Sequence, residues 1–384
     1  MSRPRRVLIA FSDSGGGHRS AAEALSQALS AAYSGDVHVD LVDGLRAYAP
    51  YPMNRLPDWY PLMVGPGARL WAHGFQLTDR PSRVSVINRV TGLLTAGAAR
   101  RLVDDYRADV VVSVHPLLVT PLARAVSGRA KVITVVTDLV SPHAWWFDPQ
   151  VQTCVVATAA ARRHALRCGV RASHVHMIGL PVDSRFAQIA DNHGRDPGSR
   201  KTRLRADLGW SPDSKTVTVL AGGEGTGPAF EIARAIAHAG LGCELVVMTG
   251  RNAGLRERLA SVRWPVSLHA YGFVTHLPDI LHASDVVLAK AGPATICEAL
   301  AAGVPLILYH HIPGQESGNV EYVVSRGAGI SAPTPVEAVA AVRAWLVDDD
   351  ARSRASALAR RCGSVAAAPA IARLIWNASS QATG

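Results

Sequence analysis

Two glycine-rich turns, each set between a strand-like run and a helical one, hold the residues of this chain best suited to chemistry. Val7 to Phe11 leads into Ser12-Asp13-Ser14-Gly15-Gly16-Gly17-His18, and Thr216 to Leu220 leads into Ala221-Gly222-Gly223-Glu224-Gly225-Thr226-Gly227. A buried strand, a glycine turn and a helix start together aim backbone N–H groups and a helix dipole at an anion. Glycine alone says little, because any tight strand-to-helix turn favours it. The second loop gains weight from Val286 to Leu300, a further strand, glycine turn and helix start that carries Thr295 and Glu298. A carboxylate at Glu298 either accepts both hydroxyls of a ribose or complements the helix dipole, and position alone leaves both open. Next, Ile312 to Asn319 puts Gln315, Glu316 and Asn319 on a Gly/Pro turn after a buried strand. Such a cluster suits sugar hydroxyls, with a solvated surface turn as the plainer reading.

Alternating strands and helices must position these groups. Strand-like runs fall at Val7 to Phe11, Val37 to Val42, Val110 to Val114, Lys131 to Thr137, Thr153 to Ala157 and Val175 to Ile178. After Arg200 the alternation restarts at Val217 to Leu220, Glu244 to Met248, Val266 to Tyr271, Val286 to Lys290 and Leu306 to Tyr309. This predicts an α/β protein with two Rossmann-like, doubly wound parallel sheets facing one interdomain cleft. Ala190 to Lys201 is polar and aperiodic and reads as the linker, so the expected domains are 1–190 and 202–365, followed by a C-terminal helix and polar tail over 366–384. Tyr48, Tyr51, Met53, Trp59, Tyr60, Met63, Trp71 and Phe75, interspersed with Pro and Arg, break the alternation. They suit a membrane interface or lipid pocket, or else an irregular helical excursion packed on its own domain. Asp348-Asp349-Asp350 reads as a solvated helix end without a partner rather than a metal site.

Composition narrows the classes. The 384 residues are 48% hydrophobic and 18% charged, which is ordinary for a globular chain with two cores. The five cysteines, Cys154, Cys168, Cys243, Cys297 and Cys362, show no CxxC spacing and fit a reducing cytosol without a zinc site. The apolar run behind Arg3, Arg5 and Arg6 is short for a signal peptide, and no stretch reaches the length of a spanning helix. A formal net charge of +10 favours anionic partners such as a nucleotide or an acidic lipid surface, or else reflects a biased genome. No nucleic-acid motif accompanies the charge, and no nucleic-acid partner is expected.

The motifs also carry a family resemblance over most of the chain. Residues 12–25, 113–117, 137–139 with 146–147, 179–182, 221–228, 249–252, 272–274, 290–308 and 312–324 are similar to the monogalactosyldiacylglycerol synthase group of glycosyltransferase family 28. That family also includes bacterial processive diacylglycerol glucosyltransferases. The resemblance implies a GT-B architecture and inverting hexosyl transfer from UDP-galactose or UDP-glucose to diacylglycerol. It implies Gly222, Gly223, Gly225 and Gly227 at the diphosphate, with Arg251 and Thr295 as added donors. Gly272, Phe273 and Val274 would hold the uracil, Glu298 the ribose, and Gln315, Glu316 and Asn319 the sugar. His18 matches the histidine proposed as general base, a role its ordinary pKa suits, or else it orients a substrate as a neutral donor. Asp13 is the weaker catalytic candidate, and Asp138 is another carboxylate at a strand end. No Asp-x-Asp motif follows a strand, so metal-independent transfer without a cofactor is expected. Ser317 replaces a lysine of plant-like relatives beside the sugar residues, which leaves the hexose open. The alternative to diacylglycerol is another acceptor, a natural product or an isoprenoid lipid, and a UDP-sugar 2-epimerase or a non-catalytic UDP-sugar-binding module rank below that. The expected place of work is the cytoplasmic side of the cell membrane, peripheral on an anionic surface.

Overall fold

The computed structural model describes residues 3–380 except 66, 127 and 193–196. The chain divides into two compact units. The first comprises Met1–Ser184, Pro313–Gln315 and Ala366–Gly384, and the second Arg185–Ile312 with Glu316–Val365.

In the first unit, β1 (Arg5–Phe11), β2 (Val37–Asp43), β3 (Val110–Ser113), β4 (Lys131–Val135), β5 (Thr153–Val156) and β6 (Val175–Met177) form one sheet in the order β2-β1-β3-β4-β5-β6. Every pairing is parallel, with Val7 opposite both Val39 and Val110. Successive side chains of β1 serve opposite faces, as a strand buried on both sides requires. Leu8 and Ala10 join the core on one face, and Val7, Ile9 and Phe11 join the core on the other. The second core also takes in Ala367, Ala368, Ile371, Ala372 and Ile375 of the Ala367–Ser380 helix. The expected C-terminal helix and tail therefore begins as a structural part of this sheet's packing.

In the second unit, β7 (Lys215–Leu220), β8 (Cys243–Met248), β9 (Leu268–Tyr271), β10 (Val286–Lys290), β11 (Leu306–His310) and β12 (Gly329–Ser331) follow the order β12-β11-β10-β7-β8-β9, again all parallel. β12 has no counterpart among the expected strands, since three residues led by glycine give no β-branched run. The stretch expected as a linker carries helix at both ends, Arg185–Asn192 and Pro197–Asp207, and residues 193–196 lie outside the described residues. Lys201 and Arg205 of the second helix reach buried Asp285 at the foot of β10.

The aromatic excursion is helical: Met53–Arg55, Leu56–Val64, Ala68–Thr78 and Pro81–Tyr106. Tyr51, Trp59, Leu62, Leu70 and Leu77 stay exposed. The acidic triplet has partners after all. Asp348 caps the Asp349–Cys362 helix by accepting from the Ala351 N–H, and Asp349 pairs with Lys215 and Arg352, each at 2.6 Å.

Candidate functional site

In a doubly wound sheet, ligands collect beyond the carboxyl ends of the strands where the winding reverses. The first sheet reverses between β1 and β3, and the second between β7 and β10. The two glycine loops leave β1 and β7, so each loop flanks a reversal point.

At the first point the Gly17–Ala32 helix starts behind Gly16 without a side-chain cap. Gly15 sits at φ +84°, a conformation natural to glycine, and a Cβ there would approach Tyr60 Cε1 to 3.2 Å. His18 lies within hydrogen-bond reach of two strand ends. Its Nδ1 is 2.8 Å from Thr137 Oγ1, and a ring N–H donates to the Val114 carbonyl. Burial lowers its pKa to about 4, against the Val114 bond and the charge of Asp13, which both act to raise it. The His115 ring stands edge-on to His18 with centroids 4.7 Å apart. His115 Nδ1 accepts from the Leu117 N–H, so its neutral ring carries the proton on Nε2 and donates it to Ser14 Oγ at 3.1 Å. Burial holds the His115 pKa well below the ordinary value as well. Two neutral imidazoles thus face the loop. Asp13 is bound by Arg19 at 3.0 Å, and Asp138 accepts from the Trp146 indole at 2.6 Å. Both carboxylates therefore support neighbouring groups.

At the second point three turns interlock. Arg251 N–H donates to the Gly223 carbonyl and the Asn252 side chain donates to the Gly225 carbonyl. Gly250, at φ +59°, packs against the carbonyls of Gly222 and Gly223, where any Cβ would collide. The Arg251 guanidinium pairs with Glu224 at 2.7 Å and lies 5.3 Å from the centre of the Phe273 ring. Phe273 itself is 58% exposed, an apolar ring held open at the end of β9. On the other side of β7, Gly292 opens the Pro293–Ala302 helix without a side-chain cap, with Thr295 in its first turn and buried Glu298 in its second.

Comparison with known proteins agrees with this layout. Residues 18–182 match the family model for monogalactosyldiacylglycerol (MGDG) synthase, and residues 231–334 match that for the glycosyltransferase family 28 C-terminal domain. A probable MGDG synthase of soybean, Glycine max, is 35% identical over 89% of this chain and 65% of its own length. A probable MGDG synthase 2 of rice, Oryza sativa subsp. japonica, is 34% identical over 89% of this chain and 73% of its own length. The chain belongs to the MGDG synthase family. It spans slightly under two thirds of the soybean relative, as it does of the spinach one, at 66%. Among solved structures, MurG of Acinetobacter baumannii superposes with a TM-score of 0.60 at 15% identity, covering 97% of this chain and all of MurG. The fold is GT-B.

Within that MGDG synthase framework, the second unit carries the Gly222–Gly227 loop, Arg251, Phe273, Val274, Thr295, Glu298, Glu316 and Asn319, and the contacts described join the loop to Arg251, with Phe273 beside it, on one side and to Lys290 with Glu316 on the other. Glu316 is 2% exposed, and both its oxygens have protein partners: the Lys290 ammonium at 2.8 Å and the Ile312 N–H at 2.7 Å. Asn319 is 1% exposed. Its amide donates to the Ala291 carbonyl, while its Oδ1 has no partner among the described residues. Gln315 counts with the first unit, its Oε1 accepting from the Trp71 indole at 3.3 Å. Thr137, His115 and Lys290 are the residues that sequence reasoning passed over, although each lies inside a motif quoted for the family.

Proposed function

We propose that the protein is an inverting hexosyltransferase that moves galactose from UDP-galactose to diacylglycerol to give a β-glycolipid, with UDP-glucose as the alternative donor. The observation that carries this reading is the 34–35% identity across 89% of the chain to proteins named MGDG synthases. His18 takes the proton of the acceptor hydroxyl as that oxygen attacks the anomeric carbon. The bond from that carbon to the diphosphate breaks, and its electrons leave with UDP. Burial, by lowering its pKa to about 4, keeps His18 neutral throughout the physiological range and leaves it a weaker base than the ordinary imidazole the sequence suggested. Backbone N–H groups of the Gly222–Gly227 loop, the start of the Pro293–Ala302 helix, Arg251 and Thr295 meet the charge that develops on the diphosphate. Phe273 and Val274 hold the uracil and Glu298 the ribose. Gln315 and Asn319 accept sugar hydroxyls, for which the unpartnered Asn319 Oδ1 is suited.

The reaction takes place at an anionic membrane surface on the cytoplasmic side. No helix of the described residues is long and apolar enough to cross a membrane. Exposed Trp59, Leu62, Leu70 and Leu77 share a run of short helices with exposed Arg55 and Arg69, a composition that suits adsorption to such a surface.

The test incubates the protein with radiolabelled UDP-galactose or UDP-glucose and mixed-lipid vesicles in EDTA. Label should enter the lipid phase, with galactose the better substrate. Label confined to a soluble product would overturn the lipid acceptor, and loss of turnover in EDTA would overturn metal independence.

A further inference from the structure

Lys290 ends β10 at the reversal point of the second sheet. Its side chain runs between the two glycine turns that flank that point. A Cβ at Gly222 would stand 3.7 Å from Lys290 Cε, and one at Gly292 would stand 3.9 Å from it. The ammonium donates to Glu316 Oε1 at 2.8 Å, and Glu316 Oε2 is fixed in turn by the Ile312 N–H. The lysine side chain is 16% exposed and the glutamate 3%.

Desolvating such a pair costs about as much as its attraction returns, so stability is a poor reason for it. Position is a better one. An ammonium has three protons to donate, and Glu316 takes one. The other cation at these turns, Arg251, is drawn toward Glu224 and the Phe273 ring on the β8 and β9 side. Lys290 instead stands between the Gly222 and Gly292 turns.

We infer that Lys290 binds the diphosphate of the donor, and that Glu316 is the positioning residue that holds it there rather than a ligand of the sugar. The inference rests on the UDP-sugar reading. When the bond between the anomeric carbon and the diphosphate breaks, its electron pair adds negative charge to the leaving UDP. A fixed ammonium stabilises that charge without reorganising.

Calorimetric titration of the purified protein with uridine and with UDP separates the possibilities. Lys290→Gln keeps a polar side chain and removes the charge. It should weaken UDP roughly tenfold or more, as expected for loss of a charge-assisted contact, and leave uridine within about twofold. Lys290→Arg should recover part of the loss. Glu316→Gln, nearly isosteric, should also weaken UDP, a ligand that carries no sugar. A role at the sugar would instead leave UDP untouched and raise only the KM for the UDP-sugar, and that result would overturn the assignment of Glu316. Equal losses for uridine and UDP would mark a general disturbance of the fold and overturn the role of Lys290. If the wild-type protein ignores UDP, both the reading and the inference fail. If wild type binds and Lys290→Gln binds equally well, the inference alone fails.

Discussion

His18 could be named from the sequence because it ends a glycine loop and matches a family motif, yet its chemistry is set by residues far along the chain. Thr137 lies 119 positions away, and Val114 and His115 belong to another strand end. Neither contact leaves a mark in local sequence, since any strand could have stood beside β1. Their effect is measurable. Burial lowers the His18 pKa to about 4 from an ordinary 6.5, so a base at this position stays competent well below neutrality. As far as His18 governs it, kcat/KM should be flat from pH 7 to about 5 and fall with a midpoint near 4. An acid limb centred near 6.5 would contradict the assignment. The sign for stability follows from the same shift. The unfolded chain takes up a proton near pH 6.5 and the folded one only near 4, so His18 costs stability as the pH drops through that window. His18→Ala should lower turnover by about a hundredfold or more while UDP affinity is kept. A parallel fall in both would make His18 a donor ligand.

Strands proved legible where apolar, mostly β-branched residues run together or alternate over several positions, most plainly in β1, β3 and β10. β12 escaped because Gly-Ile-Ser holds a single apolar β-branched residue and so gives no such run. The helix Pro197–Asp207 escaped for another reason: its sequence is polar, and a buried carboxylate outside it helps to anchor it. Asp285 accepts from Lys201 at 2.9 Å, from Arg205 at 2.6 Å and from the Thr216 N–H at 2.9 Å. Burial, the largest single influence, would raise its pKa, but the two cations and the Thr216 N–H together outweigh it and hold the carboxyl below the ordinary carboxylate value. The stability this contributes is present at neutral pH and is lost as pH falls through that depressed value. Asp285→Ala strands a buried guanidinium and an ammonium, and should cost about 3–5 kcal/mol in urea unfolding. A loss under about 1 kcal/mol would mean that the helix is held by its apolar contacts instead.

At the scale of the whole molecule, repeated alternation made two α/β units readable, but not the return of the chain's last helix to the first of them. Ala367–Ser380 is amphipathic like many surface helices, and only the fold shows which sheet it covers. Ala368, Ile371, Ala372 and Ile375 are fully buried among Val7, Ile9, Leu25, Leu29 and Val112. Trp376 stacks on Tyr33 at 4.2 Å, with the Arg5 guanidinium 3.7 Å from its ring. Large-to-small changes at buried isoleucines cost about 2–5 kcal/mol each, so Ile371→Ala alone should weaken the first unit by that amount. Removing residues 366–384 takes away two such side chains and uncovers the β1 face. At about 2–5 kcal/mol each the two come to about 4–10 kcal/mol, comparable with the about 5–15 kcal/mol that holds a domain folded. Hydrogen exchange on the truncated chain should show β1 and β3 amides losing protection, while those of β7, β8 and β10 keep theirs. UDP, the proposed ligand of the second unit, should still bind. If β1 and β3 remain as protected as in the full chain, the helix is an accessory rather than a part of the first unit's core.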